Sequence, residues 1–323
     1  MRAIISSSGT PVLTDVQRPS PGQGEVLVRV RANSLNRADL MMLKGTYLGG
    51  LAGTGFPLGL ERAGEVAEVG AAVERWRVGD RVMGAGLAAF AEYTIGYARR
   101  FYAVPEGMAF EQAATLPVSL QTMHDALSTN GKLAAGQTVL IQGASSAMGL
   151  MGMQVAKLLG AGMVIGTSKS PERRARLAEF GADVVVDTGA PDWVEQVLKA
   201  TGGNGVDLLI DFVAGPLMTG NLQATRIGGR MVNVGRMAGE QGEFDFNLHS
   251  LRRITYVGVT FRTRSPEEVE EIVARTTRAL GPALAERSLR MPIDKVYRFE
   301  QAAEAFERMA QNKHFGKIVL ASA

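Results

Sequence analysis

The chain has 323 residues, 46% hydrophobic and 21% charged, with a formal net charge of +3, which fits two ordinary globular domains and shows no basic stripe for nucleic acid. Cysteine is absent, which excludes disulfides, thiolate nucleophiles and every cysteine-containing zinc site. No apolar run reaches 18 residues and MRAIISSSGTPVL lacks a signal-peptide core, so the default expectation is a cytoplasmic protein without a transmembrane helix.

Residues 1 to about 118 read as β-rich. Glu25 to Ala32 alternates in the strand period, after turn residues Pro19, Pro21, Gly22 and Gly24. Gly64 to Val69 is a second short strand. Arg77 to Val82 is a turn feeding a third, and Phe90 to Ile95 alternates again. Short strands separated by glycines predict a compact barrel. Phe110 to Leu116 and Leu120 to Leu127 then read as helical.

From Gln137 the pattern changes to alternating strands and helices. Val139, Leu140 and Ile141 form an unbroken apolar run, as in a parallel strand covered on both faces. Small residues follow from Gly143 to Gly149, then a helix to about residue 160. Met163 to Thr167, Val184 to Val186, Val206 to Phe212, Arg230 to Val234 and Ile254 to Phe261 are further strands. Ser170 with Pro171 starts one intervening helix, and Gly181 ends it. Six such strands predict a doubly wound parallel sheet of the Rossmann type. Residues 266–280 and 299–311 read as helices and Lys317 to Leu320 as a closing strand; these are expected to return to the first domain.

The strand–turn–helix at 137–159 is a candidate phosphate site, because free N–H groups and the positive helix end face the ligand. The turn keeps one glycine of the dinucleotide fingerprint: it reads Ala144-x-Ser146-x-x-Gly149. Ser146, Ala147, Met148 and Gly149 are the expected pyrophosphate seat. NAD sites usually place Asp or Glu about 20 residues beyond such a turn. Here Ser168 lies 19 residues past Gly149, followed by Lys169 and, further on, Arg173. A hydroxyl and two cations suit a 2′-phosphate, so NADPH is expected over NADH. His124, His249 and His314 lie far apart, and no metal site is expected.

Over its whole length the chain resembles the zinc-independent medium-chain dehydrogenase/reductases, particularly quinone oxidoreductases. The matching residues are Asn33 to Asp39, Gly59 to Gly64, Val78 to Val82, Leu116 to Thr122, the 143–149 turn, Asp211 to Gly215, Gly228 to Arg230 and Gly316 to Leu320. The resemblance implies a GroES-like partly open β-barrel from residues 1–118 and 262–323, with a Rossmann domain over 119–261 inserted. Zinc-dependent relatives carry Cys near position 36 and His in a Gly-His-Glu triplet; Asn36 and Leu60 stand there instead. Without zinc, an acceptor that is already electrophilic is the simplest substrate, which points to a quinone or an α,β-unsaturated carbonyl. The resemblance places Asn36, Thr122 and Tyr47 near the reacting groups. Asn36 would donate to a developing oxyanion, and Tyr47 would stack on a quinone or donate a proton. It also places Gly235, Arg236, Phe261 and Arg262 near the nicotinamide end of the cofactor. Relatives often carry Tyr near 188 and Arg near 312 at the 2′-phosphate, where this chain has Thr188 and Asn312. The edge strand Ile254 to Phe261 is expected to pair with its copy in a homodimer. Two other readings are a nucleotide-binding protein with an RNA-binding or structural role, and an enoyl-thioester reductase using Tyr47. Pocket shape depends on loops 41–57 and 236–250.

Overall fold

Ten residues of near-continuous burial make Glu25–Ser34 the central strand of the first unit. Its first half pairs antiparallel with Tyr93–Tyr97, and its last three residues pair with Lys317–Ala321 on the same side. Along its other side runs Glu61–Val69, followed by Arg81–Ala85 and Phe101–Ala103. Sharing one edge between two partners curls the sheet, as a partly open barrel requires. Close approach at the curl demands glycine: a Cβ on Gly64 would lie 2.0 Å from the Arg29 carbonyl oxygen. The computed structural model describes residues 1–47 and 55–322.

The last sixty residues join this unit, as the sequence suggests. Ile293–Arg298 lies parallel to Lys317–Ala321, and the contact boundaries place Met1–Gln121 with Arg264–Ala323. The sequence reading put the joints after 118 and 261; contacts put them after Gln121 and Thr263. One apolar cluster of the unit gathers Ile4, Leu35, Phe90, Phe299, Phe306 and Ile318. The amino-terminal hairpin of Arg2–Ser7 and Thr10–Asp15 was not legible in the sequence, since its six-residue strands are mixed in polarity.

The second unit, Thr122–Thr263, is a six-stranded parallel sheet. Its order is Val184–Val186, Met163–Thr167, Thr138–Gln142, Val206–Asp211, Thr225–Asn233, Thr255–Gly258. In chain order that is 3-2-1-4-5-6, the Rossmann order. Leu140, Ile165, Val197, Leu209, Leu222 and Met231 fill one of its cores. All carboxyl ends of the strands face one edge, where ligands bind in such sheets.

Three elements differ from expectation. The helix after the second strand is a short one, Pro171–Arg174, followed by a 3₁₀ turn over Leu177–Phe180. Arg173 and Arg176 are like charges three residues apart, which disfavours a continuous helix there. Ser170 does cap it, and Gly181 ends the segment with φ 100°. The helix at 117 begins three residues early because Pro117 is tolerated in a first turn, and it widens into a π turn over Asp125–Asn130. The edge strand covers only Thr255–Gly258, half the expected run.

Candidate active site

The nucleotide turn is built as the small residues require. Gly143 has φ +74°, which turns the chain out of the strand. Ser146 caps the helix Ala147–Leu158: its hydroxyl accepts from the Gly149 N–H at 3.1 Å and donates to the Gly143 carbonyl at 2.8 Å. A Cβ on Gly149 would lie 2.4 Å from the Ala144 Cα, so the helix can start this close to the strand only with glycine there. Ser145, Ser146, Ala147 and Met148 are half-buried, leaving their backbone accessible. First-turn N–H groups have no carbonyl partner within a helix, so this turn offers donors to an anion.

Beneath the turn, a chain of hydrogen bonds ties the strand ends together. Thr167 Oγ1 donates to Gln142 Oε1 at 2.8 Å and accepts from the Gly143 N–H at 3.0 Å. Gln142 Nε2 donates to Asn221 Oδ1 at 2.7 Å, and Asn221 Nδ2 donates to Asp211 Oδ2 at 3.1 Å. Asp211 Oδ1 accepts from the Val213 and Ala214 N–H groups. Burial pushes the Asp211 carboxyl up, against these hydrogen bonds. Sequence reasoning did not single out Gln142, Thr167 or Asn221. The available signal was a polar residue closing each of three apolar strands: Gln142, Thr167 and Asp211.

At the second strand, Ser168 is buried and its hydroxyl donates to Ser145 Oγ at 2.9 Å, so the two predicted segments meet. Lys169 is exposed, and Arg173 follows in the capped turn. Arg174 donates to the Ser168 carbonyl at 2.7 Å and pairs with Asp187 at 2.9 Å. Asp187 is a carboxylate at this corner that the sequence reading passed over; it directly follows the strand Val184–Val186. Gly235 follows the fifth strand, where a Cβ would lie 2.8 Å from the Phe212 carbonyl oxygen. Nearby, Met237 reaches the Gly143 turn: a Cβ on Gly143 would meet its Cε at 3.2 Å. Arg236 is exposed, and Phe261 and Arg262 follow the edge strand. Thr122 and His124 are buried on the helix Pro117–His124.

The first unit holds a buried polar cluster around Asn36. Lys317 and Glu61 form an ion pair with side chains 2% and 0% exposed. The Lys317 ammonium also donates to Asn36 Oδ1 at 2.7 Å. Asn36 Nδ2 donates to Glu61 at 2.9 Å and has a longer contact, 3.4 Å, with the Ser34 carbonyl. Ser34 Oγ donates to Glu61 at 2.5 Å, and the Val118 N–H donates to its other oxygen at 2.9 Å. Glu61 thus caps the helix that begins at Pro117, as well as neutralising Lys317. Tyr47 is half-buried against the cluster of Ile4, Leu35 and Phe90. Of the loop 41–57 beyond it, residues 48–54 lie outside the described residues.

Asp39 completes the cluster. Its Oδ2 accepts from the Asn36 N–H at 2.6 Å, a capping box for the helix Arg37–Leu43. Burial raises its carboxyl from 3.8 to about 8, with Glu61 adding to the rise and the Asn36 N–H and Lys317 opposing it. A raised folded-state value means the folded chain holds a proton that the unfolded chain releases above about pH 4. Folding stability from this group is full below that pH, falls as pH rises toward about 8, and is flat beyond. Asp39→Asn keeps the acceptor and removes the titration. Urea unfolding across pH 5 to 9 is expected to show the variant gaining on the parent up to about pH 8 and no further. A constant difference across that range would refute the assignment.

Comparison with known proteins agrees with both units. A model described as an alcohol dehydrogenase GroES-like domain matches residues 22–117, and one described as a zinc-binding dehydrogenase matches residues 147–278. A quinone oxidoreductase structure from Pseudomonas syringae pv. tomato superposes with a TM-score of 0.86 at 26% identity, over 99% of each chain. The chain belongs to the medium-chain dehydrogenase/reductase superfamily. The members of this superfamily are NAD(P)-dependent oxidoreductases. The structure of CurK enoyl reductase is similar too, with a TM-score of 0.87 at 26% identity, over 100% of this chain and 99% of that one. A mycocerosic acid synthase-like polyketide synthase from Mycobacterium tuberculosis is 30% identical over 307 residues, which is 94% of this chain. The chain spans only 14% of that relative's length. Among the described residues, no helix is long and apolar enough to cross a membrane.

Proposed function

We propose that the chain is an NADPH-dependent, metal-free reductase of a quinone or an α,β-unsaturated carbonyl. The observation that carries this reading is the meeting of Ser145 with Ser168 beside Lys169 and Arg173, with no carboxylate where NAD sites place one. Asp187 is an acid at this corner, and its carboxylate is engaged by Arg174. The turn suits a dinucleotide, since Gly149 lets the helix start close to the strand and the first-turn N–H groups have no carbonyl partner within the helix. Ser146, Ala147, Met148 and Gly149 would hold the pyrophosphate, and Ser168, Lys169 and Arg173 the 2′-phosphate. Gly235, Arg236, Phe261 and Arg262 would border the nicotinamide. When bound, NADPH supplies a hydride.

The protein's own task is then to place the acceptor and steady charge on its oxygen. Asn36 suits that role: one amide N–H is engaged by Glu61, while the other has only the 3.4 Å contact and can donate to a substrate oxygen. Lys317 holds the amide oxygen and so fixes which way the amide faces. Thr122 and Tyr47 are the other assigned groups, with Tyr47 the candidate proton donor. A hydride goes to the β-carbon and a proton to the α-carbon of an enone; in a quinone the proton goes to oxygen. A second reading, an enoyl thioester as the acceptor, is favoured by the likeness to CurK enoyl reductase and to the polyketide synthase.

The test is nicotinamide absorbance with benzoquinone, phenanthrenequinone, a small enone and crotonyl thioester, each with NADPH and NADH. Oxidation of NADPH in preference to NADH is expected. Equal use of both would overturn the roles of Ser168, Lys169 and Arg173. Nucleotide binding without any turnover would favour the non-catalytic reading. Loss of thioester reduction alone in Tyr47→Phe would select the second acceptor. We also propose a homodimer through the edge strand Thr255–Gly258. Exposed Phe246, Leu251 and Tyr256 lie on that strand and the preceding helix, Phe246–Arg252, an apolar surface suited to a second copy. A monomeric mass in light scattering would refute it.

A further inference from the structure

Within the unit of residues 1–121 and 264–323, a cavity of about 220 Å³ lies between the strand Phe101–Ala103 and the helix Pro266–Ala285. Leu120, Leu280, Leu284 and Pro105 give it apolar walls. A cavity of roughly 150 Å³ with such walls takes up benzene, so one ring and a small substituent fit here. Four polar residues also line it: Tyr102, Arg75, Thr276 and Thr277.

Of these, Tyr102 is the one with an unmet need. The Tyr102 side chain is 2% exposed, and its hydroxyl has no hydrogen bond of good geometry, although Thr276 lies beside it. Buried hydroxyls are nearly always satisfied, so this one calls for an acceptor. Arg75 is held with its guanidinium 4.7 Å above the Trp76 ring. Burial lowers its pKa, and the group that opposes this is Tyr102 rather than any carboxylate. The guanidinium and the phenol both line the cavity, and no acid is among its lining residues.

We propose that this cavity binds a small apolar carboxylic acid of the benzoate class. The ring occupies the Leu120, Leu280 and Leu284 walls. The carboxylate accepts from Arg75 and from the Tyr102 hydroxyl, a charge-assisted arrangement that supplies the acceptor Tyr102 lacks. Nothing in this depends on the hydride-transfer reading, since no lining residue belongs to the nucleotide turn or the Asn36 cluster.

The experiment uses the full chain and 4-fluorobenzoate, followed by its fluorine resonance in a titration. Saturable one-to-one binding is expected. Arg75→Gln, at an exposed position where folding is not at stake, is expected to weaken it at least tenfold. The uncharged 4-fluorobenzyl alcohol is expected to bind parent and Arg75→Gln alike. Gly281 lines the cavity, and a Cβ there meets nothing within 4 Å, so Gly281→Leu is tolerated sterically and is expected to abolish binding of both probes. Absence of saturable binding, or 4-fluorobenzoate binding unchanged in both Arg75→Gln and Gly281→Leu, would overturn the proposal.

Discussion

Replacing Lys317 with methionine is expected to cost about 3–5 kcal/mol of folding stability, the range found when one partner of a buried ion pair is removed. The reason is what remains. Glu61 is 0% exposed, and without the ammonium its charge has no counterion in the cluster. The donors left to it are Ser34 Oγ, Asn36 Nδ2 and the Val118 N–H. Three hydrogen bonds steady a carboxylate but do not neutralise it. Methionine keeps the length of the lysine stem, so packing loss contributes little. The cost is electrostatic, and it is expected to be reversed in part in the double variant Lys317→Met with Glu61→Gln: the neutral amide needs no counterion and its one oxygen still accepts from Ser34 and Asn36, while its NH2 faces the Val118 N–H. Chemical unfolding of the four chains in this cycle measures the coupling directly. A single-variant loss under about 1 kcal/mol would mean that water reaches the pair and that the cluster is not the anchor it looks to be. The same cycle read in kcat separates roles. If Lys317 only holds the fold, turnover at low temperature survives; if it also fixes the Asn36 amide, kcat falls while KM for the nucleotide is steady.

How much of this was legible in the sequence differs between the two units. The Rossmann sheet could be read because each parallel strand is an apolar run closed by a polar or small residue, and the helices between carry their own caps. Ser170, Pro171 and Gly181 mark their segment correctly even though the helix there is broken. The barrel was harder. Its strands pair across long separations, as Lys317–Ala321 does with Glu25–Ser34, and no local pattern announces such pairing. The strand Ile293–Arg298 went unread for that reason, and the amino-terminal hairpin because its strands are mixed in polarity. The expected edge strand from 254 to 261 shows the opposite error. Its apolar run was real, but only Thr255–Gly258 pairs, because Val259 to Phe261 turn away once the neighbouring strand ends at Asn233.

The candidate site divides in the same way. Short-range geometry follows from the local sequence: Ser146 caps its helix through the Gly149 N–H, and Ser168, after the next strand, meets Ser145. Groups drawn together from distant segments were not seen as one cluster. No local pattern marks Glu61, because its partner Lys317 lies 256 positions away and another contact, Val118, opens a helix. Asp187 escaped notice because its importance depends on Arg174 folding back toward it. Arg62 is the clearest case of a residue whose setting no pattern reveals. It is buried at 2% exposure, with its guanidinium packed over Phe101 in space left by Gly86 and Gly96.

Gly149→Val is expected to weaken nucleotide binding at least a hundredfold, about 2.7 kcal/mol. The steric argument is strict. A Cβ at this position would lie 2.4 Å from the Ala144 Cα, 2.6 Å from its carbonyl oxygen and 2.7 Å from its carbonyl carbon. All three are backbone atoms of the turn itself, which cannot swing aside as a side chain can. The helix must move away from the strand, and with it go the first-turn N–H groups and the Ser146 hydroxyl bond to residue 149. Valine adds two methyl groups to that clash and restricts χ1 in the first turn as well. Gly152→Ala is the control on the same helix. There the nearest atom is the Met123 Cε at 2.6 Å, the end of a flexible side chain, so the helix stays seated and binding is expected within threefold of the parent. Titrating NADPH against its own fluorescence compares the three proteins, with thermal unfolding run alongside. A Gly149→Val chain that is folded and binds within threefold would show that the pyrophosphate does not rest on this turn. Should valine prevent folding, Gly149→Ala presents the same 2.4 Å clash with the least added bulk, and the same inequality with Gly152→Ala is expected to hold.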